Sequence, residues 1–206
     1  MGSRKRDFFT RGTFVMFGSR NKGNVAEREI AKMLQAWWQQ IEPSAVFVRT
    51  PLSGGWGGPV LRAGFQASGD VMTTSRAWPW SVEIKRREGW VWKNLLASRP
   101  SPVWKWWQQA EGQALEMGKE PLMFFRHNNE RWHIMQRGAT QRGINQWNID
   151  RSKGNRVALA EHPIVISYPD KGIPNVQVDL WDLAQHELLE YGRQQLVRKR
   201  AQRSRK

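Results

Sequence analysis

Hydrophobic and polar positions change their period several times along the chain, and each change marks an element. From Gly23 to Ile41 apolar residues recur every three or four positions, which predicts an amphipathic helix. Val46-Phe47-Val48 reads as a short strand, and Asp70-Val71-Met72 begins a second. Trp80 to Arg86 alternates with a period of two and predicts a third. Pro100 and Pro102 precede a helix over about Val103–Met117, with Gly118 as its C-terminal cap. Leu122–Phe125 and Trp132–Met135 form a strand pair around a polar turn at Asn128-Asn129. Residues 138–158 are polar and weakly patterned. Ile164–Ser167 reads as another strand, and Val178–Tyr191 as a final helix. The order α-β-β-β-α-β-β predicts an α/β fold, a mixed sheet flanked by helices.

Between the first two strands lies a long stretch that fits neither period. Pro51 to Gly69 holds Ser53-Gly54-Gly55-Trp56-Gly57-Gly58-Pro59. A loop of that length inside a domain usually serves function or moves. It is no Walker loop, since the Gly-Lys-Ser/Thr ending is missing.

Charge adds what periodicity cannot. The 206 residues carry a formal net charge of +15. Residues 1–24 hold six basic residues and one acid, and residues 193–206 hold seven basic residues and no acid, which leaves +3 for the rest. A nearly neutral body with two cationic, disordered ends is expected to attract a polyanion, foremost nucleic acid. No apolar run approaches the ~20 residues of a membrane span. The absence of cysteine excludes disulfides, thiolate metal sites and thiol catalysis, and it fits a reducing cytoplasm. These features divide the chain into a mobile basic leader over 1–22, a core over 23–140, a C-terminal extension over 141–192 packed on the core, and a basic tail over 193–206.

Candidate chemistry begins on the first helix. At about 100° per residue, Trp38 and Leu34 fall within about 20° of Glu27, and Ala31 and Ile41 within about 40°, whereas Glu29 falls at about 200°, on the wet side. A carboxylate on an apolar stripe needs a metal ion or a basic partner, unless it bends out to water near the helix start. On the strand Trp80–Arg86, alternation sets Glu83 and Lys85 on one face. Alone, that pair reads more simply as a solvated sheet surface. Twelve residues separate Asp70 from Glu83, enough for a turn and a return, so two carboxylates can meet on neighbouring strands. Asp, Glu and a nearby Lys are the parts needed to hold Mg²⁺ and act on a phosphodiester.

With these residues in order, the chain resembles the PD-(D/E)XK nuclease superfamily, and within it the archaeal-type and phage Holliday junction resolvases. The resemblance rests on Lys22-Gly23-Asn24-Val25-Ala26-Glu27-Arg28-Glu29-Ile30, on Arg49-Thr50-Pro51-Leu52-Ser53-Gly54-Gly55, on Ser68-Gly69-Asp70, on Val82-Glu83-Ile84-Lys85 and on Gly118–Arg126. It covers roughly residues 22–135. Gly69 stands where the eponymous Pro would be.

The resemblance implies a restriction-endonuclease-like fold and a set of roles. Asp70 and Glu83, with the Ile84 carbonyl, would bind one or two Mg²⁺, for which Mn²⁺ substitutes. Glu27 would complete the shell, and Lys85 would orient water or stabilise phosphate charge. Gln109, at the edge of the apolar stripe of the 103–117 helix, would stand beside them. Lys22, Arg49, Ser53, Gly54, Gly55, Trp56 and Arg86 would contact DNA, with Trp56 as a wedge. The implied activity is endonucleolytic cleavage of branched DNA, a four-way junction above all, by a twofold homodimer. The alternatives are a duplex-cutting or nicking nuclease with the same site, and a DNA-binding module without catalysis. His127-Asn128-Asn129 with His133 imitates a His-Asn-His nuclease motif, but its spacing is that of a hairpin. The thirteen Trp residues, Trp37, Trp38, Trp106 and Trp107 among them, are read mainly as core.

Overall fold

A computed structural model describes residues 18–51, 64–97, 99–137, 148–150, 155–159, 164–168 and 173–204. The mixed sheet flanked by helices is present, as two sheets. In chain order the elements are α1 (Gly18–Trp38), β1 (Phe47–Arg49), β2 (Gln66–Ser68), β3 (Val71–Thr73), β4 (Trp80–Arg86), α2 (Trp92–Leu96), α3 (Pro102–Glu116), β5 (Glu120–Arg126), β6 (His133–Arg137), β7 (Asn148–Asp150), β8 (Asn155–Leu159), β9 (Ile164–Tyr168), β10 (Ile173–Leu180) and α4 (Trp181–Arg203).

The large sheet runs β4-β5-β6-β10-β9-β8-β7. Its only parallel pair among the described strands is β4 with β5, in the register Glu83↔Met123 and Lys85↔Phe125. The connection between them is α3, as a parallel crossover requires. Ser101 caps α3, its hydroxyl accepting from the Val103 N–H, and Pro102 occupies the first turn. At the other end Lys119 N–H donates to Ala114 O and Gly118 N–H to Leu115 O, which closes the helix and releases the chain into β5. The small sheet, β1-β3-β2, joins the large one through a single parallel bridge between Gly69 and Val82.

Alternation along β4 and β5 divides the core. Val82, Ile84, Leu122 and Phe124 face α1 and α4, where they meet Ile30, Leu34, Trp37, Trp38, Trp181 and Leu188. Met123 and Phe125 face the opposite way and meet Val103, Trp107 and Ala110 of α3. Burying both faces explains why β5 is apolar from Pro121 to Phe125 without a break. Most tryptophans are core. Trp37, Trp38, Trp78, Trp80 and Trp181 pack edge to face or tilted, with ring centroids 4.9–6.2 Å apart.

Several boundaries differ from the sequence reading. α1 begins at Gly18 and ends at Trp38, because Pro43 and a turn at 39–41 intervene before β1. Gln66–Ser68, within the stretch read as loop, is a strand that pairs with β3. Val178–Leu180 belongs to β10, which is held against β6, and the helix starts only at Trp181. The C-terminal end needs the larger correction. A disordered basic tail is expected from residue 193, yet α4 continues to Arg203. The cause is tertiary. Leu188, Leu189, Gly192 and Leu196 carry the buried stripe of α4 past the point where the charges begin. Gly192 is required there, since a Cβ on it would lie 2.4 Å from the Trp38 ring.

Candidate active site

β4 is an edge strand of the large sheet, and Asp70 is laid against that edge. Gly69, with φ of 76°, turns the chain out of β2 and forms the bridge to Val82. Asp70 N–H then donates to Val82 O at 2.7 Å, and Ile84 N–H donates to Asp70 Oδ2 at 2.8 Å. On the far side Thr50 N–H donates to Asp70 O at 2.9 Å, and Thr50 Oγ1 donates to Gly69 O at 2.6 Å. Asp70 is thus fixed by β1 and β4 together. The alternative of a merely solvated Glu-x-Lys face does not hold, because Glu83 is buried, with 2% of its side chain exposed.

Within that edge, Lys85 Nζ pairs with Glu83 Oε1 and reaches Gln109 Oε1 on α3 at 3.4 Å. The other oxygen of Glu83, Oε2, is buried without a partner. Burial, the negative charge of Glu83 and that of Glu27 raise the pKa of Asp70 to about 7, against the pull of the Ile84 N–H and Lys85. Burial raises Glu83 as well, opposed by Lys85 and aided by Glu27. Three carboxylates therefore act on one another across a small, poorly solvated volume.

Glu27 comes from α1, and the basic partner that its place on the apolar stripe demands is Arg49. Arg49 Nη1 donates to Glu27 Oε2 at 2.9 Å and to Asn24 Oδ1 at 2.8 Å. Glu29, assigned to the wet side of the helix, is not free. It accepts from Trp132 Nε1 and from Arg126 Nη2, both at 2.8 Å, and Arg126 also lies 4.1 Å over the Trp132 ring. These bonds tie α1 to the β5–β6 hairpin and so set where Glu27 stands.

The remaining expected residues divide. Arg86 lies on the opposite face of β4 and spends its Nε on Asn128 Oδ1 at 3.0 Å. Lys22 is placed only as backbone within α1. Ser53, Gly54, Gly55 and Trp56 lie outside the described residues. His127 donates from Nε2 to Trp90 O at 2.9 Å and pairs through Nδ1 with Glu130 Oε2 at 3.0 Å, and takes no part in the carboxylate group. Thr50, Asn24 and Lys119 escaped the sequence reading. Lys119 Nζ donates to Ala67 O at 3.2 Å and to Ser68 Oγ, bracing the approach to Asp70. Thr50 was within reach of sequence reasoning, as it follows Arg49 directly; Lys119 carried no signal.

Among the described residues no three His, Asp or Glu side chains converge tightly enough to cage an ion unaided. The donor set nevertheless fits a hard divalent cation. Mg²⁺ usually takes one or two carboxylates and completes its shell with water and substrate phosphate. Asp70 and Glu83 offer two, one of them with a buried oxygen that has no other partner. A cation there would offset the burial and the carboxylate repulsion that lift the pKa of both groups.

Residues 18–159 match the family described as phage putative PDDEXK endonuclease. That is well over half of the chain, and the chain belongs to this family, within the PD-(D/E)XK nucleases. No curated protein and no solved structure matches it. Among the described residues no helix is long and apolar enough to cross a membrane.

Proposed function

We propose that this nuclease is a Mg²⁺-dependent DNA endonuclease that cuts branched DNA, a four-way junction foremost, as a twofold homodimer. The observation that supports it best is the pairing of Asp70 and Glu83 on adjoining edges, with Glu83 Oε2 buried and unpartnered and Lys85 beside them. In this reading Asp70, Glu83 and the Ile84 carbonyl hold the cation, and Glu27 completes the shell directly or through water. When bound, the cation acidifies water and polarises the phosphoryl group. Lys85, positioned by Glu83 and Gln109, donates to a phosphate oxygen or orients the attacking water. Asp70 is kept in place by the Ile84 N–H, and Arg49 holds Glu27 until substrate phosphate competes for its guanidinium.

Magnitudes favour this division of labour. Enzymes lower barriers by roughly 8–23 kcal/mol, and one well-placed donor supplies about 3–4 kcal/mol. Lys85 alone falls short. Preference for a branch rests on the likeness of the Arg49–Gly55 and Lys22–Ile30 segments to those of junction resolvases. Two symmetric nicks then call for two copies of the site.

The test is cleavage of a labelled four-way junction beside linear duplex and single strand of the same sequence, in Mg²⁺, in EDTA and with Glu83→Ala. Paired nicks in the junction alone, lost in EDTA and in the variant, are expected. Equal cutting of duplex reduces the substrate to DNA in general. Undiminished cutting by Glu83→Ala refutes the site.

A further inference from the structure

Beyond the residues that match the family, α4 carries a second concentration of charge. Its last acid is Glu190, and Arg193, Arg198, Lys199 and Arg200 follow. Lys199 and Arg200 line a cleft of about 360 Å³ with Leu196 on one side and Glu42, Thr74, Arg76 and Ala77 on the other. Lys119, at the start of β5, lies near enough to Lys199 to feel its charge. Burial first and then Lys199 lower its pKa to about 8.

Four cations from three separate segments thus gather without matching anions. Arg76, Lys119, Lys199 and Arg200 form no ion pair among the described residues. Glu42 is the one carboxylate in the cleft wall, and its Oε2 already accepts from Ser75 Oγ and Trp38 Nε1. The helix dipole accounts for bases near the end of α4. It does not account for Arg76 and Lys119, which come from the β3–β4 and α3–β5 connections. Like charges brought together by a fold repel, and the arrangement is relieved when a polyanion enters.

We infer that Arg76, Lys199 and Arg200, backed by Lys119, form a binding site for a backbone phosphate of nucleic acid, separate from the carboxylate group. The choice of nucleic acid over free phosphate rests on the nuclease reading. Lys119 links the two places, because it holds Ser68, two residues before Asp70. Lys119 thus stands between Lys199 and the segment that carries Asp70.

The experiment measures binding of labelled duplex and four-way junction to the full chain by fluorescence anisotropy in EDTA, over a salt series. Lys199→Ala/Arg200→Ala and Arg76→Ala are set beside Arg131→Ala, a cation paired with Asp182 elsewhere. Each phosphate contact contributes about 0.9 to the slope of log K against log salt. The double variant is expected to lower the slope by about 1–2 and weaken binding about tenfold, while Arg131→Ala leaves the slope in place. Its melting temperature without DNA should not fall, since it removes repulsion. Unchanged slopes in both cleft variants overturn the proposal. So does a cleft that takes only inorganic phosphate, seen as phosphate-dependent melting in the wild type with unchanged DNA slopes. Glu83→Ala separates the two readings. If it still cuts while the double variant loses slope, the catalytic site is refuted and the phosphate site stands.

Discussion

Gly69 and Val82 approach so closely that a Cβ on Gly69 would lie 2.2 Å from the Val82 carbonyl oxygen. The φ of 76° at Gly69 is equally closed to proline, whose ring fixes φ near −65°. This chain therefore reaches the Asp by a route that the eponymous Pro could not take. Gly69→Ala should cost about 2–3 kcal/mol from strain and overlap. Cleavage should fall further than stability does, because Asp70 shifts with the bridge. Urea unfolding and cleavage rates on one preparation check this, and an alanine variant with wild-type values of both would refute it.

Metal binding should be visible without catalysis. A ligand that binds only the folded state stabilises it by RT ln(1 + [L]/Kd), about 2.7 kcal/mol at a hundredfold excess over Kd. Mg²⁺ or Mn²⁺ should raise the melting temperature of the wild type, and EDTA should reverse it. Asp70→Asn should abolish the shift, because it removes a ligand charge. A metal-dependent shift that survives in Asp70→Asn would place the ion elsewhere.

Glu29 is expected to matter through Arg126 and Trp132. Glu29→Ala leaves the Trp132 Nε1–H and the Arg126 guanidinium without their shared acceptor, at a cost of about 2 kcal/mol. Since Glu27 rides on the same helix, activity should decline while Mg²⁺ still shifts the melting temperature. Chemical denaturation decides it, and a change below about 0.5 kcal/mol would mean that the network is ornamental.

His133 sets a pH dependence. Its ring packs on Trp92 and Phe125, and Nδ1 is buried without a partner. Burial lowers its pKa from 6.5 to about 4. Above 6.5 both folded and unfolded states are neutral, and nothing is lost. Between 6.5 and 4 only the unfolded chain takes up the proton, so stability falls as pH falls. A shift of this size, trimmed for the solvent that reaches the ring, is worth about 2 kcal/mol. The stability difference between wild type and His133→Phe, followed from pH 7.5 to 4.5, should change by that amount. A flat difference would assign the acid sensitivity to other groups.

The carboxylate set was legible because strand alternation is local. Glu83 and Lys85 share a face of β4 whatever β4 packs against, and Glu27 sits on the apolar stripe of α1 by helical period alone. The same reasoning found α3, its C-terminal Gly118 and the β5–β6 hairpin, since helix ends and turns are written within a few residues. It erred where distant residues decide. The helical angle sets Glu29 on the wet side, where it stays partly exposed, but it says nothing of the bonds from Arg126 and Trp132 that hold it. The C-terminal charges read as a loose tail, and Gly192 and Leu196 seated them on Trp38 and its neighbours.

The sequence by itself determined which side chains could do chemistry and on which face of their own element each lies, because period and composition are properties of a short stretch of chain. Tertiary structure alone decided that Asp70 lies beside β4 through one bridge, that Glu83 keeps a buried oxygen unpaired, that Arg49 neutralises Glu27, and that four cations meet at α4. These are contacts between residues far apart in the chain, and their energies depend on burial and distance, which no local pattern encodes.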